Sequence, residues 1–230
     1  MYRVRKVKCK HLERSAIILT SDSSSKFAED KGLLKLDNKP LLSYAVDAVK
    51  GIADEIIIVT CSKEQANLYA KIVSPKVKFV THPDEPKGPL AGALAGFEAA
   101  EGKYSLLLPF DSPFVSKDVV SLLFECSIGK SAVIPRSPDN QIEALHAVYN
   151  AEQALEAAKE ALANNELNIE EMVCKMRGVR YISTLVIEQL DPDFRTFFTI
   201  NTPLDLKKAT IMIKPRKSKN PIKNTNLPRK

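Results

Sequence analysis

Four short stretches of the chain gather side chains whose chemistry suits a phosphate ester. Lys31 follows a polar loop, Thr20 to Ser25, that ends the apolar run Ala16-Ile17-Ile18-Leu19. A lysine on such a loop neutralises phosphate as a compact point charge; the plain alternative is a solvated surface amine. Asp111 lies in Pro109-Phe110-Asp111-Ser112-Pro113, directly after Tyr104-Ser105-Leu106-Leu107-Leu108. An acid held there suits a hard cation such as Mg²⁺, which takes few carboxylates, keeps waters and bridges to substrate phosphates. It equally suits a cap for a helix starting near Ser116. Asn201, in Asn201-Thr202-Pro203, is either an N-cap or an amide oxygen for the same cation. Gly88-Pro89-Leu90-Ala91-Gly92 opens a helix with small residues, letting a ligand or another backbone approach closely. Tight packing on a sheet asks for the same residues. His146, in Glu143-Ala144-Leu145-His146-Ala147-Val148-Tyr149, either lines the core or faces a cleft.

Other chemistries find less support. There is no Gly-x-Gly-x-x-Gly and no Walker loop, which disfavours ordinary dinucleotide binding and P-loop hydrolysis. The three histidines, His11, His82 and His146, build no arguable Ser-His-Asp or Cys-His set. The four cysteines (Cys9, Cys61, Cys126, Cys174) are far apart without a Cys-x-x-Cys pair. They read as reduced structural thiols of a cytoplasmic protein, not as a zinc site.

The elements that must hold these groups are legible as alternating patterns. Strands are expected at Ala16–Leu19, Glu55–Thr60, Val77–Val80, Tyr104–Leu108 and Ala132–Pro135, with weaker ones at Val179–Ile182 and Thr196–Ile200. Helices are expected from Pro40 through Val49, over Lys63–Ile72 with Ser62 as cap and Gln65 and Asn67 outward, and from Pro89 through Ala100. Further helices follow from Ser116 through Phe124, over Ala151–Asn164 and over Leu204–Ile213. This alternation predicts a mostly parallel sheet covered on both faces, with an antiparallel strand or two in the less regular second half. A buried strand feeding a polar loop is where such folds bind anions.

At 230 residues the chain suits one α/β domain with tails. No apolar run nears the roughly 20 residues of a membrane helix, and Ala16–Leu19 is too short for a signal peptide's apolar region. Of the net charge of +6, residues 1–14 hold +5 and residues 214–230 hold +7, which leaves the body at −6. The expected division is therefore a basic extension (1–14), a body (15–213) and a basic, Pro- and Asn-containing tail (214–230) read as disordered. Such tails are mostly solvated. They offer a place for a protein partner, and nucleic acid is not the expected ligand.

In this order the segments resemble the molybdenum cofactor guanylyltransferase family of nucleotidyltransferases. Its pattern L-A-G-G-x-S-x-R-M-G-x-D-K-x-L-L lies over Leu19–Leu34, keeping Leu19, Ser24, Asp30, Lys31, Leu33 and Leu34. G-P-L-A-G is unchanged at Gly88–Gly92, D-x-P matches Asp111-Ser112-Pro113, E-P-L-x-A-x-Y resembles Glu143–Tyr149, and N-I-N-T-P-x-D-L resembles Thr199–Leu206. The resemblance implies an α/β, Rossmann-like three-layer nucleotidyltransferase fold of the nucleotide-diphospho-sugar transferase type, with a mostly parallel mixed sheet. It implies transfer of GMP from GTP to molybdopterin, with Mg²⁺ and release of pyrophosphate. Asp111 and Asn201 would hold the metal, and Lys31 would act with Asp111 in catalysis. Leu19, Thr20, Ser21, Lys26, Lys31, Gly88, Pro89 and Leu90 would bind the nucleotide.

The departures fall in the phosphate loop. The family's A-G-G is Thr20-Ser21-Asp22 here, its Arg is Lys26, its second Gly is Ala28, and an acid before G-P-L-A-G is replaced by His82. A side chain in left-handed geometry costs roughly 1–2 kcal/mol. A carboxylate about 6 Å from a phosphate charge opposes it by about 3 kcal/mol at an effective dielectric near 20. These changes support a second expectation, a catalytically impaired homologue that binds a nucleotide or a partner.

Overall fold

The structure, a computed structural model, describes residues 13–20, 27, 30–74, 76–82 and 88–213. The chain enters through β1 (Arg14–Leu19), turns through a 3-10 helix (Lys31–Leu33) and forms a small hairpin, β2 (Lys35–Leu36) with β3 (Lys39–Pro40). Then come α1 (Leu41–Val49), β4 (Glu55–Thr60), α2 (Lys63–Tyr69), β5 (Lys78–Thr81), α3 (Pro89–Ala99), β6 (Tyr104–Pro109) and α4 (Lys117–Cys126). The second half runs β7 (Ala132–Arg136), β8 (Ala147–Asn150), α5 (Ala151–Ala163), α6 (Ile169–Lys175), β9 (Val179–Ser183), α7 (Thr184–Ile187) and α8 (Pro203–Ile213).

The main sheet has seven strands in the order β5-β4-β1-β6-β8-β7-β9. β8 alone runs against the rest, pairing antiparallel with β6 and β7. Register follows burial. Ile17 sits between Ile57 and Leu107, and Ile18 between Ile58 and Leu108. Because successive strand residues point to opposite faces, Ala16, Ile18, Ile58 and Leu106 join α1 and α4 in one core. Ile17, Leu19, Ile57 and Leu107 join α3, α5 and α6 in the other. The strands read as continuous apolar runs because both faces are covered. Each fully buried Ile or Leu contributes about 1.5–3 kcal/mol. Close approach is built in at Gly96, where a Cβ would stand 2.4 Å from the Ile17 side chain. The small residues of α3 thus serve packing at Gly96.

Most elements fall within a residue or two of their sequence-based limits, and β4 matches its limits at both ends. α2 stops at Tyr69, short of the expected Ile72. The expected strand at 196–200 does not form: Arg195–Phe197 is a 3-10 turn. Its backbone is satisfied individually, Thr196 N–H by Asp191 (2.7 Å) and Ile200 N–H by the Asp111 carbonyl (3.0 Å). Its apolar side chains diverge, Ile200 toward Leu36 and Leu41 and Phe197 toward the main core. The antiparallel strand is β8, Ala147–Asn150. No described helix is long and apolar enough to cross a membrane.

Candidate active site

Strand order reverses between β1 and β6, and a crevice opens beyond the carboxyl ends of parallel strands at such a switch point. Here a cleft of about 610 Å³ crosses the rim. Its wall runs from His82 after β5 and Cys61 after β4, past Thr20 after β1 and Asp111 after β6, to Glu143 and His146 before β8. Because β8 is antiparallel, its amino end reaches the same rim as the other strands' carboxyl ends.

Lys31, Asp111 and Asn201 meet at the centre. The Lys31 ammonium donates to Asp111 Oδ2 at 2.5 Å and to Asn201 Oδ1 at 2.9 Å, and it lies 5.5 Å from the centre of the Phe110 ring. Lys31 and Asp111 are 4% and 6% exposed, so each needs the other's charge. Removing one member of a buried pair is strongly destabilising, by about 3–5 kcal/mol, because a bare charge remains. The helix caps show which role each residue has. Ser116 caps α4 through the Val119 N–H, so Asp111 is not that cap. Thr202 and Asp205 cap α8 between them, which leaves the Asn201 amide to Lys31 and Thr199.

Lys31 is presented by its neighbour. The Asp30 carboxylate accepts from Gly32 N–H (2.8 Å), the Tyr69 hydroxyl (2.6 Å) and Gln65 Nε2 (3.0 Å), which pins the turn. Burial first, then the Asp30 hydrogen bond and charge, push the Tyr69 pKa up, so its hydroxyl stays a donor. Gln65 was expected to face outward but lines the cleft. Its Oε1 accepts from Cys61 N–H at 3.0 Å.

At the β8 end, His146 is 4% exposed and its Nε2 lies 3.0 Å from Ser112 Oγ. Burial pulls its pKa down to about 4, so it is neutral near pH 7. Its Nδ1 lies 3.9 Å from Glu143 Oε2. Burial, then the Glu170 carboxylate, raise the Glu143 pKa. Phe197 meets the His146 ring edge-on at 5.4 Å.

Of the residues singled out from sequence, Leu19, Thr20, Gly88, Pro89, Asp111 and Asn201 line the cleft, and Lys31 joins Asp111 within it. Thr20 spends its hydroxyl on the Val59 carbonyl at 2.7 Å. Leu90 is not brought there: its side chain is fully buried in the α3 core, and its N–H bonds the Leu167 carbonyl at 3.3 Å. Ser21 and Lys26 lie outside the described residues, as do Asp22 and Ala28. Gln65, expected to face outward, and Cys61, read as a structural thiol, are cleft residues that the sequence reading does not assign to the site. Gln65 is four residues before the buried Tyr69, a spacing that shares a helix face.

Two hard oxygens, of Asp111 and Asn201, converge on one positive centre, a donor set that fits a cation such as Mg²⁺. Cys61, Cys126 and Cys174 form no disulfide.

A doubly wound sheet with a buried lysine–carboxylate pair at its switch point defines an α/β domain of the nucleotidyltransferase fold. Residues 16–171 match the family model described as a MobA-like NTP transferase domain, and the chain belongs to that family. A probable molybdenum cofactor guanylyltransferase of Methanosarcina mazei is 31% identical over 199 residues, covering 84% of this chain and 88% of that protein. One from Methanosarcina acetivorans is 31% identical over 202 residues, again 84% and 88%. The crystal structure of molybdopterin-guanine dinucleotide biosynthesis protein A from Archaeoglobus fulgidus has the same fold. It aligns with a TM-score of 0.73 at 22% identity, covering 86% of this chain and 97% of that one.

Proposed function

We propose that the protein is a Mg²⁺-dependent molybdenum cofactor guanylyltransferase acting in the cytoplasm. In this reading a molybdopterin phosphate oxygen attacks the α-phosphorus of GTP. The new P–O bond forms as the bond to the β-phosphate's bridging oxygen breaks, and pyrophosphate leaves. The observation that carries this reading is the buried Lys31–Asp111–Asn201 centre at the switch point of the sheet. The relatives' names support the choice of nucleotide and acceptor. Leu19, Thr20, Ser21, Lys26, Gly88 and Pro89 remain the proposed nucleotide contacts, and Leu90, buried in the α3 core, drops out of that set. Thr20, Gly88 and Pro89 offer backbone and small surfaces to the cleft.

Lys31 neutralises the triphosphate, and Asp111 with Asn201 would hold Mg²⁺. Bound there, the metal supplies further charge neutralisation at the phosphates. Phosphoryl transfer of this kind is mostly positioning and charge stabilisation, so no side-chain nucleophile is required. Residues 15–213 form the proposed catalytic body, with the basic ends available to an acidic protein partner. The test is pyrophosphate release from GTP with Mg²⁺ and molybdopterin. Turnover that Asp111→Ala abolishes supports the reading; none in the wild type, with each of the four NTPs, removes it.

A second reading, nucleotide or partner binding without turnover, is favoured by His82, a lining residue of the cleft that stands in place of the acid of the resembled family pattern. It predicts calorimetric GTP–Mg²⁺ binding with no pyrophosphate released.

A further inference from the structure

The cleft has two ends, and the chemistry already assigned uses one end and the centre. Beyond Asp111, on the β8 side, the wall is made by Glu143, Leu145, His146, Phe197 and Thr199. The wall is rigid: Glu143 N–H bonds the Pro135 carbonyl (3.0 Å), His146 N–H bonds the Glu143 carbonyl (3.0 Å), and the Tyr149 hydroxyl bonds the Ala144 carbonyl (2.7 Å).

Within it one carboxylate is free to take a ligand. Among the described residues the Glu143 carboxylate accepts no hydrogen bond, and its side chain is 43% exposed, open to the cleft's solvent. Its nearest cationic or neutral ring partner, His146 Nδ1, stands 3.9 Å away, beyond hydrogen-bond reach. That Nδ1 is itself covered and has no hydrogen-bond partner. An ionised carboxylate only accepts, and it can take two parallel N–H donors at once. The same part of the lining carries apolar groups, Leu145 and the Phe197 ring, the latter edge-on to His146. A carboxylate sharing a cleft wall with aromatic and aliphatic side chains complements a planar heterocycle that presents adjacent N–H groups on one edge. A 2-amino-4-oxopyrimidine ring is such a group: its ring N–H and amino group point the same way. Pterin and guanine share it.

The position decides between them. Strands lie about 4.8 Å apart, and Glu143, before β8, is on the opposite side of Asp111, after β6, from Thr20 after β1 and His82 after β5 in the sheet order. In the guanylyltransferase reading the nucleotide is held at Leu19, Thr20 and Lys31, which leaves the β8 side of the cleft to the acceptor. We propose that Glu143 is a specificity-determining residue that reads the amino–N–H edge of the acceptor's pterin ring. This inference rests on the guanylyltransferase reading above and names the acceptor half of that site.

The experiment titrates the full-length protein with 6-hydroxymethylpterin phosphate, followed by pterin fluorescence, and separately with GTP–Mg²⁺ by calorimetry. Wild type is compared with Glu143→Gln and Glu143→Ala, half-exposed positions whose folding is checked by thermal denaturation. Exchanging a carboxylate oxygen for an amide places a donor against a donor and removes a charge-assisted pair. Pterin affinity is expected to fall at least tenfold in both variants with GTP affinity unchanged, and the KM for molybdopterin is expected to rise with kcat held. Lost GTP affinity with pterin binding intact would assign Glu143 to guanine and overturn the proposal. Unchanged binding of both ligands would overturn it too, as would a wild type that binds no pterin. Turnover of GTP with molybdopterin that ignores Glu143→Gln sinks this inference alone, whereas a wild type without turnover sinks the guanylyltransferase reading.

Discussion

The Lys31 ammonium stands 2.5 Å from Asp111 Oδ2, with both side chains withdrawn from solvent, and bridges to Asn201 Oδ1 at 2.9 Å. Two residues separated by 80 positions in sequence thus share one buried charge balance at the middle of the cleft. Stability and chemistry would be coupled there, because the same oxygens that offset the lysine are those proposed to hold a metal.

Breaking the pair one residue at a time should therefore be costly. Asp111→Asn leaves Lys31 with a neutral amide and is expected to destabilise the fold by about 3 kcal/mol or more. The double replacement Lys31→Met with Asp111→Leu should regain most of that stability, since a matched apolar pair carries no bare charge. Neither variant should release pyrophosphate. Urea denaturation alongside a turnover assay reads both outcomes.

Lys31 also fills the point on which the two oxygens converge. Mn²⁺ added alone should bind weakly and should bind at least tenfold more tightly once GTP draws the ammonium toward its phosphates. Lys31→Met should raise the affinity for Mn²⁺ alone. Electron paramagnetic resonance of free Mn²⁺ measures this without turnover; equal Mn²⁺ affinity in wild type and variant contradicts it.

His146 gives a pH dependence whose sign is fixed. Burial lowers its pKa from 6.5 to about 4, so between these values the unfolded chain binds the proton and the native one does not. Stability rises with pH across that window. The contribution is complete above about pH 6.5 and is lost progressively as pH falls toward 4. At about 1.4 kcal/mol per pH unit it amounts to about 3 kcal/mol. Glu143, whose pKa is raised, works in the opposite direction and softens the slope. His146→Gln, which keeps an amide near Ser112, should flatten denaturation midpoints between pH 4 and 6.5. An unaltered slope would count against a neutral, buried His146.

Tyr69→Phe removes one of three donors to Asp30 while Gly32 N–H and Gln65 remain. Loss of this part-buried hydrogen bond should cost about 1–2 kcal/mol. Because Asp30 pins the turn that presents Lys31, KM for GTP should rise more than kcat falls. Steady-state kinetics beside thermal denaturation separate the two effects.

The strands were readable because burial on both faces removes the polar half of the pattern, leaving runs such as Glu55–Thr60 that end where polar residues begin. The same logic located Asp111, since an acid directly after Leu106-Leu107-Leu108 has to stand at a strand end. Gln65 was misjudged because a seven-residue helix shows too few turns to fix its inner face. Its partner Asp30 is distant in sequence. The wall at 142–146 was legible only as a motif: β8 has four residues, too few for a clear strand signal. Thr196–Ile200 misled because β-branched and aromatic composition reports burial as much as pairing. Ile200 is buried and Phe197 and Phe198 are partly buried, but against different partners.

The single reversed strand, β8, has an effect on how this protein can diversify. By bringing its amino end to the rim, it sets Glu143, Leu145 and His146 along the groove, away from Cys61 and His82 in the strand order. On the proposed reading, substitutions at those three positions would retune which molecule receives the transferred group while leaving the donor's berth untouched, so the two substrates' preferences would drift apart on one scaffold.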